Sequence, residues 1–184
     1  MVKRDFIRNI ILVLIAILAI FLLRILSFQH LKCMRMPLIH TYQCDVVVVN
    51  RNREPRYKDF IVYKKDGIFY ISRVVATAGQ SVTVMDDILY VNNKVKKEPY
   101  ISKIKSEYLS TSDTQQPFTS DFSVNTVSNG KYNEVPKGYY LVLNDDRQNT
   151  NDSRSFGLIK ESQIRGVVTF KVLPLNQFGF ITAE

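Results

Sequence analysis

Between residues 6 and 28 the chain is almost wholly apolar, interrupted by Arg8 near one end and Arg24 near the other. Nothing else in the sequence narrows the fold as much, because a helix needs about 20 apolar residues to cross a bilayer. Ile10 to Leu23 carries no charge at all. The run is too long for the apolar core of a removable signal peptide, and no small-x-small cleavage site follows it. Arg24 can snorkel to the interface. Lys3, Arg4 and Arg8 precede the run and favour a cytoplasmic N-terminus, whereas Lys32 and Arg35 beyond it reduce the contrast. The expectation is a short cytoplasmic tail (1–5), a transmembrane signal anchor (6–28) and an extracytoplasmic domain (29–184). The protein would then lie in the cell membrane as a single-pass chain with its C-terminal domain outside.

About 150 residues outside the anchor are enough for one domain with its own core. The net charge of +8 would suggest nucleic acid in a cytosolic protein, but the basic residues are scattered and no nucleic-acid-binding motif is present. Beside a membrane the same charge points to anionic lipid or a cell-surface polymer. Cys33, Cys44, His30 and His40 fit no zinc spacing, so neither a metal nor a cofactor is expected. The two cysteines can pair outside the cell or serve as small buried thiols.

Beyond the anchor, strand signals dominate. Residues 44–49 form a β-branched run suited to a buried strand. Phe60 to Tyr63 and Ile68 to Ile71 flank Asp66-Gly67, a hairpin turn pair, and Arg73 to Ala76 continues the second arm. Val82 to Val84 and Ile88 to Val91 make a second hairpin, and Asn92-Asn93 turns the chain again. Residues 139–143 and 167–172 are the last strong strands, and 162–165 hints at a helical turn. Between 102 and 134 polar residues are dense and apolar ones single, which predicts a surface excursion. Many short strands with tight turns predict a mainly β, antiparallel barrel or sandwich.

Three blocks resemble those of the bacterial type I signal peptidases. Asp145, Arg147, Asp152, Ser153, Arg154 and Gly157 match, in order and spacing, the pattern Gly-Asp-Asn-Arg-x-x-Ser-x-Asp-Ser-Arg-x-x-Gly. Residues 73–80 are similar to the family's Arg-Val-Ile-Gly-x-Pro-Gly-Asp segment. Leu89-Tyr90-Val91-Asn92-Asn93, followed by Glu98-Pro99-Tyr100, is similar to Leu-Tyr-Val-Asn-Gly and Glu-Pro-Tyr. The resemblance implies a signal-peptidase-like fold with ion pairs from Asp152 to Arg154 and from Asp145 to Arg73 beside the cleft, Ser153 lying between the first two and facing away. It also implies a Ser-Lys dyad in which a neutral, desolvated lysine takes the serine proton.

The dyad itself is not found. Ser72 occupies the lysine position. The nucleophile falls on Met34, Met36 or Cys33, according to whether Pro37, Cys44-Asp45 or Cys33-Met34 anchors the alignment. Of these only Cys33 carries usable chemistry, and a thiol still needs activation. Thr150 replaces the helper serine, Asn144 the glycine before Asp145, and Asp146 the asparagine after it. The resemblance extends to signal-peptidase-like proteins of Gram-positive pilus systems that lack the dyad. The expected function is therefore a non-catalytic chaperone or scaffold that binds a pilin or another extended peptide, with pilin or sortase-type assembly proteins as partners. The alternative is an active signal peptidase with a replaced dyad.

Overall fold

Three two-residue turns organise the strands. Asp66-Gly67, Asp86-Asp87 and Asn92-Asn93 all have positive φ at both positions, the backbone that lets a right-twisted hairpin close in two residues. Asp, Asn and Gly tolerate that region better than other residues. In the computed structural model these turns join β3 (Phe60–Lys65) to β4 (Ile68–Ala76), β5 (Val82–Met85) to β6 (Ile88–Val91), and β6 to β7 (Lys94–Val95). The structure describes residues 9, 11–19, 32–35, 44–111, 116–173 and 179–180.

The remaining strands are β1 (Lys32–Arg35), β2 (Cys44–Asn50), β8 (Phe122–Ser123), β9 (Tyr139–Leu143), β10 (Ile159–Lys160), β11 (Ile164–Leu173) and β12 (Gly179–Phe180). They form a larger sheet in the order β1-β2-β11-β3-β4-β9-β10, with β12 beside β11, and a smaller sheet in the order β7-β6-β5-β8. Each recorded pairing is antiparallel. The expectation of a mainly β, antiparallel fold is met. Among the described residues no pairing joins β1 to β10, so the larger sheet is open and the expected barrel is not closed.

The larger sheet is apolar on both faces, which is why its strands read as continuous runs rather than alternations. Ile61, Tyr63, Val74, Val142 and Val167 pack on one face; Val47, Val62, Ile71 and Val168 pack on the other. Val75, Ala76, Leu141 and Leu143 join the two sheets through Val82, Val84, Leu89 and Phe122. Gly166 sits at a bulge of β11, where an added Cβ would stand 2.6 Å from Val49 Cγ1 and 2.7 Å from the Asn50 carbonyl oxygen. Only glycine lets the two strands approach that closely.

The polar stretch 102–134 is more ordered than a loop. With the helix over residues 11–19 as α1, helix α2 (Ser102–Thr111) buries none of its residues. The chain then returns through β8 to α3 (Val124–Val127), capped by a reciprocal pair of bonds between Ser123 and Thr126. Phe118, Phe122, Val124 and Val127 are buried, so these four apolar residues anchor the second part of the stretch in the core. The turn expected at 162–165 is a single helical turn at Glu161–Gln163.

Of the expected membrane anchor, only residue 9 and a helix over residues 11–19 lie within the described residues. Ile11, Leu12, Val13, Leu14, Ile15, Ile17 and Leu18 are all exposed on that helix. Among the described residues no helix is long and apolar enough to cross a membrane, and the rest of 6–28 lies outside them.

Candidate functional site

The segment 144–157 leaves β9 and wraps back against it. Asp152 starts a short helix, α4 (Ser153–Phe156), and caps it by accepting from the Arg154 N–H. Its carboxylate also takes two bonds from the Arg154 guanidinium, at 2.9 and 2.7 Å, and one from the Asn144 N–H at 2.9 Å. Arg154 in turn donates to the carbonyls of Arg147 and Asn149. Asp152 is wholly buried. Ser153 turns towards β9, where its hydroxyl oxygen accepts the Val142 N–H at 2.9 Å. One ion pair and one hydroxyl thus replace the ladder bonds that the chain loses when it leaves the sheet.

The second expected pair is also formed. Arg73 grips Asp145 through two bonds, at 2.8 and 2.7 Å, and gives a third to the Lys58 carbonyl at 3.0 Å. Its guanidinium lies between the Phe60 ring, 4.0 Å away, and the Tyr100 ring, 4.2 Å away. Both partners are buried. A planar guanidinium suits this double clamp, in which the fork meets the carboxylate and the faces meet the rings. Arg147 is buried as well and pairs with Glu98, which also accepts the Tyr100 hydroxyl at 2.6 Å. Arg147 and the Glu98-Pro99-Tyr100 segment belong to separate blocks of the resemblance, 49 positions apart, and only the fold brings them together.

Ser72 shows what stands in place of a lysine. It is 1% exposed, in β4 opposite Ile61 of β3. Its hydroxyl donates to Asn144 Oδ1 at 2.7 Å and lies 3.1 Å from the Tyr63 hydroxyl. A serine has one proton to give, so the Tyr63 hydroxyl is the donor in the second bond. Asn144 Nδ2 faces the carbonyls of Asn149 and Asn151, at 3.0 and 3.4 Å, which fixes which end of the amide meets Ser72. Burial raises the Tyr63 phenol above its ordinary value, and the Ser72 bond only partly offsets this. All three side chains are therefore neutral near pH 7, and none is a base.

Thr150, expected as the helper hydroxyl, is exposed and does not reach Ser72; Tyr63 and Asn144 are the partners instead. Thr150 and Arg154 line an open pocket of about 290 Å³ with Asp121, Phe122 and Thr126. Cys33 and Met34 lie on β1, at the edge of the larger sheet, where Cys33 pairs with Val46 and Met34 with Asp45. Three strands stand between β1 and β4 in the sheet order. Met36 lies outside the described residues. Neither Tyr63 nor Asn144 has a role that the resemblance implies. The signal for Asn144 was its place at a family glycine; Tyr63 looked like any strand aromatic. Among the described residues no group of acidic, histidine or cysteine side chains could hold a metal ion.

The family "Signal peptidase, peptidase S26" matches residues 6–173, nearly the whole chain. The chain belongs to this family. Signal peptidase IB of Staphylococcus aureus (strain MRSA252) is 40% identical over 113 residues, which are 60% of this chain and 56% of that protein. Signal peptidase I of Bacillus caldolyticus is 39% identical over 125 residues, 66% of this chain and 64% of that protein. The chain thus spans little more than half the length of the Staphylococcus relative. The crystal structure of a signal peptidase I from Enterococcus faecalis V583 superposes with a TM-score of 0.57 at 30% identity, covering 64% of this chain and 98% of the other. The two clamps around Asp145 and Asp152 are the ion pairs that the resemblance implied. Ser72 and Asn144 are two of the departures from the pattern, beside the missing nucleophile, Asp146 and Thr150.

Proposed function

We propose that this signal peptidase homologue binds an extended segment of a precursor protein beside the Ser72–Asn144 end of its larger sheet and does not hydrolyse it by a Ser-Lys dyad. The observation that carries this reading is Ser72, buried, neutral, and hydrogen-bonded to Asn144 and Tyr63 where the family's mechanism needs a lysine. A serine hydroxyl is no general base near neutral pH. Neither is the Tyr63 phenol, which burial keeps protonated. The scaffold around Asp145 and Asp152 is retained, so a cleft can hold a strand-like peptide through main-chain bonds without the groups that cut it. Docking of a pilin, or of a sortase-type partner, during assembly of surface pili is the finer form of this proposal.

The relatives reported above are named as peptidases, and this favours a second reading over the assembly role: an active signal peptidase with a replaced dyad. Cys33 is the one nucleophile this chain offers on β1. The second reading needs substitutes for two groups at once, and losing a member of such a constellation elsewhere leaves only weak residual catalysis.

One experiment separates the readings. Detergent-solubilised full-length protein is incubated with a preprotein carrying an Ala-x-Ala site and a photo-crosslinker flanking it. Crosslinking without a mature product is expected. A mature band that disappears in Cys33→Ala would establish the peptidase, and absence of both product and crosslink would overturn peptide binding. Ser72→Lys alone is expected to stay inactive, because the lysine meets Asn144 and finds no serine. In cells, normal surface polymer in a clean deletion strain would refute the assembly role.

A further inference from the structure

Among the described residues, three buried side-chain atoms have no hydrogen-bond partner in the protein: Nε and Nη1 of Arg147 and the hydroxyl of Tyr57. All three belong to one cluster. Arg147 is 2% exposed and gives a single nitrogen, Nη2, to Glu98. The same Glu98 oxygen accepts the Tyr100 hydroxyl at 2.6 Å. The charges of Glu98, Arg147 and Arg73 all act on the Tyr57 phenol, which lies beside Tyr100. Lys96 holds its Nζ 4.5 Å from the centre of the Tyr57 ring. Orphaned buried donors are rare, because each has given up its water without a replacement. Three of them around one ion pair point to a common occupant.

Charge and donor count say what kind of occupant fits. The contacts tie three cations, Arg73, Arg147 and Lys96, to two carboxylates, Asp145 and Glu98. Arg73 and Asp145 satisfy each other through two bonds. Glu98 divides one oxygen between Arg147 and Tyr100, which leaves Nε and Nη1 of the guanidinium for another acceptor. A guanidinium only donates, and the Tyr57 hydroxyl can donate as well. A water molecule among donors brings two hydrogens that need acceptors of their own. A small anion takes donors alone, and its charge offsets the third cation. Hydrogen bonds from a cation to an anion are also the stronger kind. Tyr57 is half-buried and Lys96 exposed, so an ion has a way in from that side.

We propose that a monovalent anion of halide size binds between Arg147 and Tyr57, with the Lys96 ammonium on its outer side, and that it braces both clamps. The coupling runs through direct contacts. The Arg147 carbonyl accepts from Arg154 of one clamp. The Tyr100 ring lies 4.2 Å from the Arg73 guanidinium of the other, whose third bond goes to the carbonyl of Lys58, the neighbour of Tyr57. The site lies apart from Ser72 and Asn144 and is independent of whether a peptide is cut or only held.

The test uses full-length protein in detergent, dialysed into gluconate, an anion too large for such a site. Chloride is then added at constant ionic strength while the melting temperature is followed. It is expected to rise by roughly 3–6 °C for each tenfold increase in chloride once the site begins to fill, and bromide should act in the same way. Arg147→Lys and Tyr57→Phe should flatten this dependence, whereas Lys103→Ala, on the exposed helix α2, should keep it. Tyr57→Phe leaves the Arg147–Glu98 pair in place, so it reports on the site even where Arg147→Lys fails to fold. Equal melting temperatures in chloride and gluconate would overturn the proposal and leave Arg147 to water. A chloride dependence that survives unchanged in Tyr57→Phe would assign the effect to surface charges and overturn it as well.

Discussion

Arg73 and Asp145 show how a charged pair can be kept inside an apolar sheet. Each gives up its hydration, and the two bonds between them, the Lys58 carbonyl and the two flanking rings replace it. Removing one partner leaves a buried charge with no counterion, which costs about 3–5 kcal/mol. Arg73→Ala and Asp145→Ala are therefore expected to lower the urea midpoint strongly. Lys103→Ala, which breaks an exposed pair with Glu107, should change stability by roughly 0–1 kcal/mol. Equal effects in the two pairs would contradict this account. The buried phenol of Tyr63 adds a pH dependence. Its ordinary pKa is about 10, and burial raises it in the folded protein. Its contribution is thus fully present below pH ~10 and is lost as pH rises towards the folded value, because the unfolded chain ionises first. Melting temperatures should fall above pH ~10, and Tyr63→Phe should make that fall shallower. Burial also raises Tyr57, Tyr100 and Tyr140, so the fall should not vanish.

At the scale of elements, two glycines make different demands. Gly67 has φ of +85° in the β3–β4 turn and open space around it, so alanine there meets only backbone strain, about 1 kcal/mol. Gly166 has φ of +146° and would press a Cβ against Val49 and the Asn50 backbone. Gly166→Ala should cost more, about 1–3 kcal/mol for overpacking plus the strain, and should loosen β11 from β2. Chemical denaturation of the two variants checks the order. Hydrogen exchange should be fast along α2, none of whose residues is buried, and slow at Val142 and Val167, which are fully buried. The polar composition of 102–134 made one surface excursion the natural expectation. It did not distinguish the exposed helix from the anchored return, because a lone Phe or Val looks alike whether it points into solvent or into a core formed by strands far along the chain.

For the molecule as a whole, the expected outcome is an ectodomain outside the cell. Protease added to intact protoplasts should digest the chain beyond Lys32, and full protection would reverse the orientation. Family membership and a mainly β architecture were both legible in the sequence alone. The two clamps were legible too, since Asp152 and Arg154 are neighbours in sequence and Arg73 lies in a recognisable block. The closed barrel was not borne out, because short strands with tight turns are equally the signature of open sheets, and only the partners of the edge strands decide between them.

By itself the sequence determined what depends on residues close together. These are the left-handed turn pairs at Asp66-Gly67 and Asn92-Asn93, the apolar run at 6–28 and the serine at position 72. The tertiary structure alone decided what depends on residues far apart. Ser72 and Asn144 are 72 positions apart, yet share a hydrogen bond of 2.7 Å. Tyr63 completes the group across the β3–β4 pairing. A missing lysine can be read from one position, but what fills its place is set by strand register and by the loop that folds over β9. Those follow from the packing of the whole sheet, which no local pattern records.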